Sequence, residues 1–176
     1  MEQKIQLKPE DIKYLVIHHS GTSRDLTTFE SVRDYHINER GFWDIGYHYF
    51  IDGKGILHKG RPENYVGAHT ATPPPSMNFM SLGICLAGNF NVEIPNQDQL
   101  ITLSGLIRDL RQKYNIPISN VIGHCEAKGA HTLCPGLHLL EWLRKYRFEE
   151  DSDKLSIVKQ ELNKIKQIVD NLLRKL

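Results

Sequence analysis

Short apolar runs and longer amphipathic ones follow one another along the chain. Residues 14–20, YLVIHHS, are a mostly apolar run that stops at Ser20-Gly21, the pattern of a short buried strand. Residues 25–41 carry Phe29, Val32, Tyr35 or His36 and Ile37 at helical spacing, with Thr27 or Thr28 placed to cap them. An aromatic stretch, the Asp52-Gly53 turn and a second stretch make 46–61 a hairpin. Residues 63–81, with three consecutive prolines, are a long polar connection of a kind that often carries function. Residues 81–90 read as another buried strand. Residues 97–115 read as a helix with Leu100, Leu103, Leu106 or Ile107 and Leu110 on one face. Residues 120–124 read as a last strand, and 137–148 as a helix that closes the domain.

The pattern changes at the C-terminal end. Leu155, Val158, Leu162, Ile165, Val169, Leu172 and Leu176 recur by threes and fours, a heptad seam with Leu155 at position a. Ile157, Ile168 and Leu173 widen the stripe. Residues 149–153, EEDSD, read as a polar linker between this helix and the rest. The expected organisation is therefore a domain over 1–148, then a linker and amphipathic or coiled-coil helix over 149–176. A helix of about three heptads is marginal alone in water. It calls for a partner: its own domain, another protein, or a second copy of the chain.

Composition narrows the classes. The apolar fraction, 40%, is enough for a core, and the net charge of +1 lacks the basic excess of a nucleic-acid binder. No run approaches the length of a membrane span. Three cysteines, Cys85, Cys125 and Cys134, do not make a disulfide framework. The N-terminus shows no apolar secretory segment, so the expectation is synthesis in a cytoplasm without a signal peptide.

The candidate chemistry gathers around histidine and cysteine. His18 and His19 end one strand, and alternation lets only one of them face a given site. His124 ends another strand, and Cys134 follows it across a short loop. Two histidines and a cysteine are the ligand count of catalytic zinc, which keeps its fourth position open. A structural zinc would take a fourth ligand, His131 or Cys125. Spacing alone leaves these readings open, together with plain packing.

The segments VIHHS, GFWDIGYHYFI-DGKG, GRPENYVGAHT, SLGICLAGNF and GHCEAKGAHTLCPG, in that order, resemble the zinc-dependent N-acetylmuramoyl-L-alanine amidase type 2 family. That family includes phage endolysins, bacterial cytosolic amidases and the peptidoglycan recognition proteins, and the resemblance covers roughly 12–146. It implies an α/β fold with a central mixed β-sheet flanked by helices. It implies Zn2+ held by His18, His124 and Cys134. It places Tyr47 and Thr132 at the catalytic centre, Tyr47 assisting the oxyanion, and His69 in the groove near substrate. Arg61 and Asn64 are further candidates for the groove. The implied substrate is peptidoglycan, cut between muramic acid and L-alanine.

The chain departs from the family in three places. Thr132 stands where the phage enzymes carry lysine. Cys85 stands where cytosolic relatives carry an acid. The loop from His124 to Cys134 is two residues longer than in the phage pattern and contains His131. The expected function is a peptidoglycan amidase most like a phage endolysin, released to the wall through a holin pore. A cytosolic muropeptide-recycling amidase and a module that binds muropeptides without cutting them are the alternatives.

Overall fold

A computed structural model describes residues 2–173; the side chains of residue 154 and of 169 onward fall outside that description. Five strands form one mixed sheet. They are β1 (Tyr14–His19), β2 (Tyr49–Ile51), β3 (Leu57–Lys59), β4 (Ser81–Leu86) and β5 (Val121–Gly123), in the order β3-β2-β4-β1-β5. β1 is parallel to both β4 and β5, β2 is parallel to β4, and only β3 is antiparallel, paired to β2 with Phe50 opposite His58. Leu15, Val16 and Ile17 of the central strand are fully buried. Each such side chain contributes about 1.5–3 kcal/mol on burial, and a slip of one residue would turn them to the wrong face. That fixes the register that delivers His18 to the strand end.

Three helices accompany the sheet: α1 (Phe29–Asn38), α2 (Gln97–Tyr114) and α3 (Leu137–Leu173). Thr28 caps α1 in a reciprocal box with Ser31, which is why this helix begins at Phe29 and not at 25. Asn96 and Gln99 form the same box on α2, and Asn115 ends it in a left-handed conformation. α2 buries Leu103, Leu106, Ile107 and Leu110 on one face of the sheet, where Leu139 and Leu143 of α3 join them. Val16 and Ile122 project to the other face and pack on Met77 and Ala127.

The polar segment 149–153 is not a linker. α3 runs through it without a break, and Glu150 is tied to Arg111 of α2 at 3.1 Å. Beyond it Leu155, Val158, Leu162 and Ile165 remain exposed, so the stripe is not laid on the domain. Val169, Leu172 and Leu176 of the same seam lie outside the described side chains. No described helix is long and apolar enough to cross a membrane.

Candidate metal centre and active site

β1 and β5 run side by side, with Ile17 opposite Gly123. The next residue along each chain is a histidine, and the rings of His18 and His124 come to 4.6 Å between centroids. Function gathers at such carboxyl ends of parallel strands because the chain leaves the sheet there. Alternation separates His18 from His19. His18 is 1% exposed and packs near Tyr47 and His69. The His19 ring turns away, and its Nδ1 accepts the Phe90 N–H at 3.1 Å.

The loop after β5 is folded back by short-range bonds. The Cys125 N–H donates to the Cys134 carbonyl at 2.7 Å, and the Cys134 N–H donates to Thr132 Oγ1 at 3.1 Å. A side chain at Gly123 would place its Cβ 2.8 Å from Pro135 Cδ, so glycine before His124 is what lets the Cys-Pro turn close on the strand. Glu126 accepts the Gly123 N–H and pairs with Arg144 and Arg147 of α3, clamping the loop to that helix. The first turn of α3 is capped by the Phe90 carbonyl and the Asn91 side chain.

The result is a compact donor group. One ligand atom from each of His18, His124 and Cys134 lies within 4.8 Å of the others. Cys134 Sγ is 3.6 Å from His18 Nδ1, and it also accepts the backbone N–H of His19 at 3.4 Å. Burial holds the His18 and His124 imidazoles below their usual pKa, with His69 and His124 adding to the effect at His18. Burial pushes the Cys134 thiol up to about 12. Neutral imidazoles are ready to donate lone pairs, whereas the Cys134 thiol would release its proton to solvent as a cation binds, which makes metal uptake pH-dependent. Two nitrogens and a sulfur suit a borderline-soft ion such as zinc. In tetrahedral coordination two ligand atoms of zinc stand about 3.3–3.6 Å apart. The Cys134–His18 pair at 3.6 Å is already at that spacing, and the widest pair would close by about 1 Å.

A profile of the family described as N-acetylmuramoyl-L-alanine amidase matches residues 8–137. The chain belongs to this amidase family. Peptidoglycan-recognition protein SC2 of Drosophila melanogaster is 30% identical over 141 residues, 77% of this chain and 74% of its own. Among solved structures, the endolysin N-acetylmuramoyl-L-alanine amidase LysCS of Clostridium intestinale is 31% identical with a TM-score of 0.68, over 81% of this chain and 87% of its own. A tyrosine-to-phenylalanine mutant of Drosophila peptidoglycan-recognition protein LB, solved in complex with tracheal cytotoxin, is 31% identical with a TM-score of 0.68, over 80% and 84%.

The remaining residues singled out from the amidase motifs fall into two groups. Tyr47 stands at the centre, its ring centroid 5.2 Å from that of His18. Burial first, then Cys85 and Cys134 nearby, push its phenol well above the usual range, so it stays protonated. It lines a groove of ≈ 710 Å³ together with Ser20, Thr22, Tyr35 and Arg40. Thr132 supports Cys134 through the bond described above.

Arg61 does not line this groove. It is 2% exposed, and its guanidinium is spent on Glu2 and on the carbonyls of Ile45 and Val66. Asn64 is exposed and faces the N-terminal segment: its carbonyl accepts the Leu7 N–H, and its amide reaches Gln6. His69 is no surface residue of the groove either. At 7% exposure it is buried behind His18. His131 is exposed and stands outside the donor group, as does Cys125. Cys85 pairs with His18 across β4 and β1 and is buried beside Tyr47. Sequence reasoning missed Glu126, whose role depends on arginines a helix away.

Proposed function

We propose that the chain is a zinc-dependent amidase that hydrolyses the bond between N-acetylmuramic acid and L-alanine of the peptidoglycan stem. The carrying observation is the His18–His124–Cys134 group beside Tyr47, which also lines an open groove. Bound zinc supplies a water of pKa near 7 and a Lewis acid for the scissile carbonyl. The chain supplies the rest. Tyr47 keeps its O–H and donates it to the carbonyl oxygen as negative charge develops there. Thr132 has no useful acid or base, and it holds the Cys134 backbone in place. The groove past Ser20, Thr22 and Arg40 offers hydroxyls and one cation to a sugar-linked peptide.

An endolysin role, with release to the wall through a membrane pore, is the setting this reading favours. The similarity to a named endolysin amidase supports it. The second reading is a module that binds muropeptides without cutting them. It is favoured by the relatives named as recognition proteins, one of them solved as a tyrosine-to-phenylalanine mutant with tracheal cytotoxin. Product analysis separates the two. Digested peptidoglycan gains new L-alanine amino termini under the first reading. Zinc bound with no new terminus overturns it in favour of binding alone.

Self-association through α3 belongs to the same reading. The projecting helix exposes Leu155, Val158, Leu162 and Ile165 along one seam. In a parallel pair the heptad sets Glu161 at g beside Lys166 at e of the other copy, an attractive contact. A second copy is therefore the occupant proposed, and two catalytic domains on one stem would add avidity for the wall.

A further inference from the structure

His69 lies directly behind the metal group. Its Nδ1 is 3.0 Å from Nε2 of His18, and the two rings meet edge to face at 80°. The other nitrogen of His18, Nδ1, is the one that faces Cys134 Sγ. His18 can coordinate through Nδ1 as a neutral imidazole only with its proton on Nε2. That proton then points at His69 Nδ1, which must accept. The Thr70 hydroxyl lies 2.8 Å from the same Nδ1 and shares that nitrogen's single lone pair with His18. Metal binding thus selects one arrangement of protons through both rings.

The fold spends several residues on keeping His69 there. The backbone N–H groups of His69 and Thr70 both donate to Asn78 Oδ1, at 3.1 and 2.9 Å. The ring occupies space that two glycines leave free. A Cβ at Gly83 of β4 would come within 2.5 Å of His69 Cγ, and one at Gly67 within 2.4 Å of Cδ2. The His69 Nε2, which carries the ring proton in this arrangement, is buried with the Ser81 backbone as its neighbouring acceptor and no closely fitted partner among the described residues. The closely fitted edge is the one aimed at His18.

We propose that His69 is a positioning residue that holds His18 in its metal-binding tautomer and orientation. This rests on the zinc reading above and deepens it. Partners behind metal-bound histidines typically matter by about 10–100-fold in metal affinity. The test is zinc affinity, by competition with a chelator, together with the visible spectrum of the Co2+-substituted protein. Asn places its side-chain oxygen near the position of histidine Nδ1, whereas Gln places its oxygen a bond further out. His69→Asn therefore keeps zinc affinity within a few-fold and keeps the cobalt spectrum. His69→Gln and His69→Leu lose about tenfold or more and shift the spectrum. A purely packing role would favour Leu over Asn in this buried site. Equal zinc affinity in all three variants, or Leu outperforming Asn, overturns the proposal. If Leu fails to fold, the Asn–Gln comparison decides alone. Failure of the unsubstituted protein to bind zinc would instead overturn the metal reading itself.

Discussion

His18 Nδ1 and Cys134 Sγ lie 3.6 Å apart, although one ends a central strand and the other sits in a loop more than a hundred residues later. Removing either donor leaves two ligands, too few for a tight site. Cys134→Ala and His18→Ala are expected to abolish cell-wall lysis and to lose bound zinc on dialysis. Full zinc content with full activity in either variant would show that the ligand assignment is wrong.

Tyr47 is expected to act on the carbonyl and not on the metal. Tyr47→Phe keeps the ring against His18 and removes only the O–H. Turnover should fall by about 10²–10³, the usual cost of one oxyanion donor. Zinc stoichiometry should not change. Kinetics identical to the parent protein would remove Tyr47 from that role.

Glu126 links the loop that carries Cys134 to α3 through two arginines and the Gly123 N–H. Hydrogen bonds to a charged group contribute about 1.5–3 kcal/mol each at most, and the pairs here are partly screened. Glu126→Gln should lower stability by about 1–2 kcal/mol in urea unfolding and weaken zinc binding with it. Loss of stability without any change in zinc affinity would show that the clamp serves the fold alone.

Buried histidines make the metal-free protein sensitive to mild acid. Burial lowers the pKa of His48, which accepts the Gly83 N–H and reaches the Tyr65 carbonyl, from 6.5 to about 4. His36, half-buried against Phe42 and Tyr47, is lowered to about 4 for the same reason. Between these values the unfolded chain binds more protons than the folded one. Stability is therefore full above pH 6.5 and declines as pH falls toward 4, by up to roughly 3 kcal/mol for His48 alone. Urea midpoints measured in chelator at pH 7, 6 and 5 should fall in that order. A midpoint unchanged from 7 to 5 would contradict it.

Deleting residues 154–176, or introducing Leu162→Asp, should reduce the mass in solution to that of one chain by light scattering. Hydrolysis of a small soluble muropeptide should be unaffected, while lysis of whole walls should slow. A parent protein that is already monomeric at micromolar concentration would eliminate association through α3.

Much of this architecture is legible in the residue pattern. YLVIHHS and SLGICL are buried runs that only a central strand accommodates, and the pair His18-His19 declares by alternation that one ring faces inward. The hairpin around Asp52-Gly53 and the leucine face of α2 follow from local chemistry. What the pattern hides are relations across the chain. Arg61 looks like a groove cation until Glu2, from the N-terminal end of the sequence, pairs with it inside. His69 looks like a groove residue because nothing in its own segment reports that Gly83, from β4, joins Gly67 in leaving the space its ring fills behind His18. EEDSD looks like a linker by polarity. The stronger signal was that neither glycine nor proline occurs after Gly136, so nothing there stops a helix.

That unbroken helix has a mechanical consequence. α3 begins three residues after Cys134 and continues for 37 residues, a rod of about 55 Å. Its early turns are tied to the loop of Cys134 by Glu126, and its described side chains from Leu155 to Ile168 are exposed. Torque applied to the tail by whatever grips it reaches the thiol through a stiff shaft, without a slack joint to absorb it. The exposed tail and the loop that carries Cys134 are thus joined by one piece of secondary structure.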